Sequence, residues 1–226
     1  ETQKNFISNA SHELNTPLTS IIGEAEVTLS KDRSSEEYKQ SLITILEEAE
    51  KLNKKTKALL FLAQTGYNKG KINQDSIIRM DELVIDVKTT VEKIYPEANI
   101  YLDFNLLPEN PYHLKVKGNE QLLHLAVSNI VMNACKYSNN AKVDIILAAS
   151  DVNVILIIKD LGVGIPEKEL GYIYDPFFRA SNTEDYSGYG IGLPLSRNVI
   201  KLHRGELIVS SKENEGTTVE ILLPHK

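Results

Sequence analysis

His12 stands in the run Ser11-His12-Glu13-Leu14-Asn15-Thr16-Pro17-Leu18. A neutral imidazole nitrogen is a nucleophile that can take a phosphoryl group, provided that the proton on the other ring nitrogen is held. Glu13, its neighbour, is a candidate base for that proton. Thr16, four residues beyond His12, lies over the same face of a helix, where its hydroxyl can position a water for removing a phosphate. Asn129 and Asn133 are likewise four apart, so their amides point the same way on a helix. Mg²⁺ prefers oxygen ligands and keeps several waters while bridging substrate phosphates, which suits one amide oxygen as its protein ligand. Lys136 is on the neighbouring part of that face and can neutralise phosphate charge. Asp160 precedes Gly162 and Gly164, and Gly188, Gly190 and Gly192 lead into a helical pattern. Glycine loops admit close approach of a ligand, and backbone N–H groups at a helix start hold phosphates. A carboxylate can accept from the exocyclic amine of adenine. An acceptor histidine followed by nucleotide-holding parts reads as phosphoryl transfer.

Each feature alone is weak. Histidine on a helix needs no special explanation, asparagines favour wet surfaces, and Asp-x-Gly-x-Gly is commonly a turn. The glycines at 188, 190 and 192 match neither the dinucleotide fingerprint nor the lysine-containing phosphate loop. Their joint order carries the reading.

The elements that must position these residues follow from periodicity. Phe6, Ala10, Leu14, Ile21, Ile22, Ala25 and Leu29 recur at helical steps, predicting a first helix over 6–30 with His12 at the edge of its apolar stripe. Pro17 removes one backbone hydrogen bond and should bend that helix. Ser35 with Glu36 and Glu37 reads as the cap and acidic first turn of a second helix reaching about Gln64. A two-helix hairpin leaves apolar surface in water, and pairing two hairpins into a four-helix bundle buries it, so a homodimer is expected. Gly66 to Gln74 reads as a linker. Beyond it, helices are predicted over 81–95, 119–137 and 191–202, and strands over 100–104, 114–116, 143–148, 154–159, 206–210 and 218–223. That mixture fits a sheet covered by helices on one face, an α+β sandwich. The division expected is a helical hairpin at 1–66, a linker at 67–76 and an α+β domain at 77–226.

Composition narrows the classes. A 226-residue chain that is 42% apolar supplies ample core for one large or two modest domains. The formal charge of −6, with signs mixed throughout, offers no basic face for tracking nucleic acid. The single cysteine, Cys135, forms no intramolecular disulfide and reads as a small apolar filler in a protein of the reducing cytoplasm. No apolar run is long enough to span a membrane. The start at Glu1 suggests a piece of a longer parent, for which a membrane anchor stays open.

Phe6, Ser11-His12-Glu13-Leu14 and Thr16-Pro17-Leu18 resemble the H box of sensor histidine kinases, with Asn15 where the family usually carries arginine. Asn129, Asn133, Lys136 and Tyr137 resemble the N box. Asp160, Gly162 and Gly164 resemble the G1 box, and Tyr174 to Arg179 the F box. Gly188, Gly190, Gly192 and Leu193 resemble the G2 box, with Ile191 and Pro194 as departures. Gly216-Thr217 resembles the last glycine motif. The resemblance runs from Phe6 to about Pro224 in the expected order.

It implies His12 as phosphoacceptor, Glu13 as base, and Thr16 as support for phosphatase activity. It also implies ATP and Mg²⁺ as cofactors, Asn133 as the Mg²⁺ ligand, Asn129, Lys136 and Arg179 near the phosphates, and Asp160 with Thr217 at adenine. Residues 180–187 become a lid over the nucleotide, anchored by Phe177 and Phe178. The partners implied are a second copy of the chain and the receiver domain of a response regulator, whose aspartate takes the phosphoryl group. Two other readings are an ATP hydrolase of the gyrase and heat-shock chaperone type, and a scaffold that binds a regulator without chemistry. The motif around His12 and the lack of a glutamate base at position 129 oppose the first. The complete set of boxes opposes the second.

Overall fold

A computed structural model describes residues 2–67 and 76–226, and within those helices all side chains except those of residues 2–10, 12, 13, 54, 57, 58 and 60–67. The chain divides into two compact units, Glu1–Gln64 and Thr65–Lys226.

The first unit is a hairpin of α1 (Thr2–Leu29) and α2 (Ser35–Tyr67). α1 continues through Pro17. Both helix ends at the turn are satisfied by side chains. The Arg33 guanidinium donates to the carbonyls of Val27 at 2.7 Å and Thr28 at 3.3 Å, closing the orphan acceptors of α1. Ser34 and Glu37 form a reciprocal capping box: the Ser34 N–H donates to Glu37 Oε2 at 2.8 Å, and the Glu37 N–H to Ser34 Oγ at 3.3 Å. The cap is therefore Ser34, one residue before the expected Ser35, because Glu37 sits three positions after it. Those donors from Ser34 hold the Glu37 carboxyl below its ordinary range.

The second unit runs β1 (Ser76–Arg79), α3 (Met80–Ile94), β2 (Ile100–Asp103), β3 (Lys115–Gly118), α4 (Glu120–Tyr137), β4 (Val143–Ala149), β5 (Asn153–Lys159), α5 (Gly192–Leu202), β6 (Glu206–Lys212) and β7 (Gly216–Pro224). Five strands form one mixed sheet in the order β2-β4-β5-β7-β6. Only the β2–β4 pair is parallel. Val143, Ile145 and Leu147 alternate with half-exposed residues, as do Val154, Leu156 and Ile158, and Val219, Ile221 and Leu223, so one face of the sheet is buried. Each such side chain contributes on the order of 1.5–3 kcal/mol. The helices cover that face with Leu83, Val84, Val87 and Val91 of α3, Leu123, Val127, Ile130 and Val131 of α4, and Val199 and Ile200 of α5.

The strand expected at 114–116 occupies Lys115–Gly118 and lies outside the main sheet. It pairs antiparallel with β1, which the sequence reading lacked, in a separate two-stranded sheet.

His203, just past α5, ties the two site-bearing helices together. Its Nε2 accepts the N–H of Asn119, the cap of α4, at 3.0 Å, and its Nδ1–H donates to the Val199 carbonyl of α5 at 2.7 Å. Gly118 makes room: a Cβ there would lie 2.2 Å from the ring.

Candidate nucleotide-binding site

α4 starts from Asn119, whose side chain accepts the Leu122 N–H at 3.0 Å. Its inward face is apolar, and Asn129, Asn133, Lys136 and Tyr137 are half-buried on the other side. α5 packs along α4, fastened by the Ser196 hydroxyl, which donates to the Ala126 carbonyl at 2.9 Å. That packing carries Gly192, the first residue of α5, to the asparagines. A Cβ there would meet Asn133 Nδ2 at 3.8 Å and the Asn129 side chain at 4.0 Å. The carboxamides of Asn129 and Asn133 make no hydrogen bond to another described residue. Half-buried amides left uncommitted at a helix start are suited to ligate. Leu193 is half-buried and Pro194 buried in the first turn of α5, where proline costs no hydrogen bond.

Asp160 follows β5 and is only 7% exposed. Its Oδ1 accepts the N–H of Gly162 at 2.8 Å and that of Thr217 at 3.2 Å. The Asp160 N–H in turn donates to the Thr217 carbonyl at 2.9 Å. Oδ2 accepts nothing from a described residue, so the buried carboxylate has one oxygen fixed and one available. Burial raises its pKa above the ordinary carboxylate value, against the pull of the two N–H donors. Thr217 shares its hydroxyl with Ser211 Oγ at 2.9 Å, and Ser211 Oγ accepts the Ile165 N–H at 2.9 Å.

The glycines permit this crowding. A Cβ on Gly162 would fall 2.4 Å from the Tyr137 carbonyl, which accepts the Val163 N–H at 3.1 Å. Gly164 has φ +63° and abuts the Lys212 carbonyl. The loop after Asp160 is thereby pressed between the end of α4 and the β6–β7 turn.

Gly188 and Gly190 have φ of +151° and +66°. Gly190 packs on the backbone of Phe177 and Phe178, and its carbonyl accepts the Phe177 N–H at 2.9 Å. Lys136 Nζ donates to the Ser187 carbonyl at 2.9 Å and lies 4.0 Å from the centre of the Tyr137 ring. Tyr137 meets Tyr186 edge-on at 5.2 Å. The Arg179 guanidinium is turned onto its own segment, donating to the carbonyls of Thr183 and Tyr186. Phe178 contacts the Tyr172 ring at 5.8 Å.

The fold thus gathers Asn129, Asn133, Lys136, Tyr137, Gly188 and Gly192 around the end of α4, and joins to it, through Tyr137, the loop bearing Asp160, Gly162 and Gly164, with Thr217 of β7 bonded to Asp160. Arg179 sits on the segment between Gly164 and Gly188. His12, Glu13 and Thr16 lie on α1 of the other unit; the side chains of His12 and Glu13 are outside the described residues, and Thr16 is exposed. Sequence reasoning missed Asn182 and Glu169. Asn182 donates to the Val163 and Gly164 carbonyls, and Glu169 accepts from Ser181. Neither belongs to a spacing pattern that could have revealed it.

Among the described residues no cluster of three or more His, Cys, Asp or Glu could hold a metal ion, so the donor set does not fit a dedicated all-protein cage. It does fit an ion held by one amide oxygen and by a ligand's phosphates.

Residues 2–68 match the model of the His Kinase A (phospho-acceptor) domain. Residues 118–226 match that of the histidine kinase-, DNA gyrase B- and HSP90-like ATPases. The chain belongs to the sensor histidine kinases. It is 33% identical to the heme sensor protein HssS of Staphylococcus haemolyticus over 98% of this chain and 47% of that protein. It is 29% identical to the sensor histidine kinase CusS of Escherichia coli K12 over 98% of this chain and 45% of the relative. The chain therefore spans just under half the length of these relatives. Among solved structures, the mycobacterial sensor histidine kinase MprB matches with a TM-score of 0.59 at 27% identity, covering 67% of this chain and 99% of that one. Acinetobacter baumannii histidine kinase AdeS matches at 0.71 and 20% identity over 95% and 98% of the two chains. Histidine kinase ThkA, solved with the response regulator protein TrrA, matches at 0.74 and 21% identity over 98% of this chain and 61% of that one. These last two likenesses concern the fold.

Proposed function

We propose that this chain is the catalytic core of a two-component sensor that transfers the γ-phosphoryl group of ATP to His12 and passes it to an aspartate of a response regulator. The observation that carries the reading is the pairing of uncommitted carboxamides at Asn129 and Asn133, beside the start of α5, with a buried Asp160 carboxylate that has one free oxygen. The matched phosphoacceptor domain supplies the nucleophile.

In this reading residues 1–66 form the dimerising hairpin, 67–76 the linker and 77–226 the ATP-binding domain. Asp160 Oδ2 accepts from the adenine amine, with Thr217 fixing the other carboxylate oxygen. Asn133, assisted by Asn129, would hold a Mg²⁺ ion, which supplies charge neutralisation on the phosphates when bound. Lys136 and the backbone of Gly188, Gly190, Gly192 and Leu193 face the same phosphates, and Arg179 braces residues 180–187 as a lid. The imidazole of His12 forms the N–P bond as the bond from the γ-phosphorus to the ADP oxygen breaks, and Glu13 takes the imidazole proton. Positioning and electrostatics carry most of such a reaction. The γ-phosphate must reach His12, so the linker has to let the units approach. Thr16 positions a water for dephosphorylating the regulator. In this reading the catalytic portion works in the cytoplasm.

Incubation with γ-labelled ATP and Mg²⁺ tests the reading. Acid-labile, alkali-stable label on the native chain, absent from His12→Ala and Asn133→Ala, is the expected result. Label that survives His12→Ala sinks the assignment of the acceptor.

A further inference from the structure

The segment over the site is held at two ends by different chemistry. At its far end the contacts come from α4: Lys136 Nζ to the Ser187 carbonyl, and the Tyr137 ring against Tyr186. At its near end Asn182 Nδ2 donates to the carbonyls of both Val163, at 3.2 Å, and Gly164, at 3.1 Å. Ser181 beside it gives its N–H and hydroxyl to the Glu169 carboxylate at 2.9 and 2.8 Å, which lowers the Glu169 pKa. The receiving loop is itself held by backbone bonds and close packing. Val163 donates to the Tyr137 carbonyl, its own carbonyl also accepts the Asn214 N–H at 2.8 Å, and Gly164 is wedged against Lys212.

The orientation of the Asn182 amide has one solution. Its Oδ1 is buried without a hydrogen-bond partner, and turning the amide over would aim that oxygen at two carbonyl oxygens. A buried acceptor is left unpaired so that both donated bonds can form. Lys136, by contrast, is a flexible ammonium that the proposed function places at the phosphates, so its grip on Ser187 competes with the ligand.

We infer that Asn182 is a positioning residue for the nucleotide: it pins the first part of the lid, Ala180–Thr183, permanently to the loop following Asp160. The lid then opens and closes only beyond Thr183, with the Lys136–Ser187 contact as the exchangeable end. Asn182 touches no nucleotide atom and acts through the Val163–Gly164 backbone. This rests on the ATP reading of the site.

The test combines amide hydrogen exchange on the native chain with the release of a fluorescent ATP analogue from variants. In the native chain the Ser181 and Thr183 N–H groups exchange slowly with and without Mg-ATP, whereas those of Ser187 and Gly188 change protection when it is added. Asn182→Asp preserves the volume but removes both donors, and Asn182→Ala removes everything. Both release the analogue about tenfold faster, as expected for losing hydrogen bonds of this kind, with Asp at least as severe as Ala. Both also raise KM for ATP while kcat for His12 phosphorylation stays within about twofold. An Asn182→Asp chain indistinguishable from the native one reduces the residue to packing and overturns the inference. So does exchange at Ser181 and Thr183 as fast as at Gly188, a result that requires no variant to fold. A native chain that binds no analogue instead overturns the ATP reading, and exchange without nucleotide still judges the pin.

Discussion

Asp160 combines two demands that conflict, burial and charge. Its pKa is raised by burial, so folding favours the neutral acid more than the unfolded chain does. The stability that this group lends is complete below the ordinary carboxylate pKa of about 4 and is lost as pH rises through the folded value. In the proposed reading the charged form is the one that accepts from the base, and burial makes that form costly to the fold. Asp160→Asn keeps an oxygen for the Gly162 and Thr217 N–H groups and discards the charge. It should melt a few degrees higher than the native chain at pH 7, with the gain vanishing below about pH 4. ATP affinity should fall by roughly ten- to a hundredfold, the worth of a hydrogen bond to a charged acceptor. Melting curves across pH together with calorimetric titration of Mg-ATP check both halves, and a variant that binds ATP normally would remove Asp160 from the base site. Cys135 shows the opposite case: fully buried, with its pKa pushed up to about 11, it remains an apolar thiol at neutral pH. Cys135→Ala should alter stability and leave phosphohistidine formation unchanged, which the labelling assay reads directly.

Among elements, the α4–α5 pair carries most of the site, and His203 fixes its ends. Burial lowers the His203 pKa, and both ring nitrogens are engaged in the neutral form, Nε2 as an acceptor. The unfolded chain takes up a proton on this group first as pH falls below about 6.5, so its contribution is complete above that value and is lost as pH drops toward the folded pKa. The native chain should lose stability from pH 6.5 to 5 more steeply than His203→Asn, which starts lower at pH 7.5 and declines less; parallel melting profiles would show that His203 does not carry this dependence. The sequence displayed α4 and α5 because apolar periodicity, the Asn119 cap and the glycines preceding α5 agree on one answer. It hid β1, since four residues reading Ser-Ile-Ile-Arg are too short for a period and pair with a strand far along the chain. The asparagine and glycine boxes were legible as fixed spacings. Asn182 and Glu169 were not, because their roles depend on which loop folds over which. The Lys136–Ser187 bond spans 51 positions and escapes any local pattern for the same reason.

At the scale of the whole molecule, the hairpin leaves an apolar seam in water. Leu18 and Ile22 on α1 and Leu42 and Leu46 on α2 are 43%, 48%, 65% and 60% exposed. Each pair is four residues apart, so the two members share a helix face. Two helices cannot bury such a stripe, but two hairpins related by a two-fold axis can, with each seam covering the other. The residues proposed to bind ATP all lie in the second unit, so in that reading dimerisation and nucleotide binding should separate. Ile22→Asp combined with Leu46→Asp places a carboxylate on each helix of both seams, where ionised groups cannot be buried unpaired. Sedimentation should show the native chain as a dimer and the double variant as a monomer at concentrations at least about a hundredfold above the native dissociation constant, a weakening that the loss of a few buried aliphatic side chains readily supplies. Mg-ATP affinity should stay within about twofold, because Asn133, Asp160 and the glycine loops are untouched. A double variant that still sediments as a dimer would place the interface elsewhere. One that becomes monomeric and also loses ATP would show that nucleotide binding depends on the hairpin.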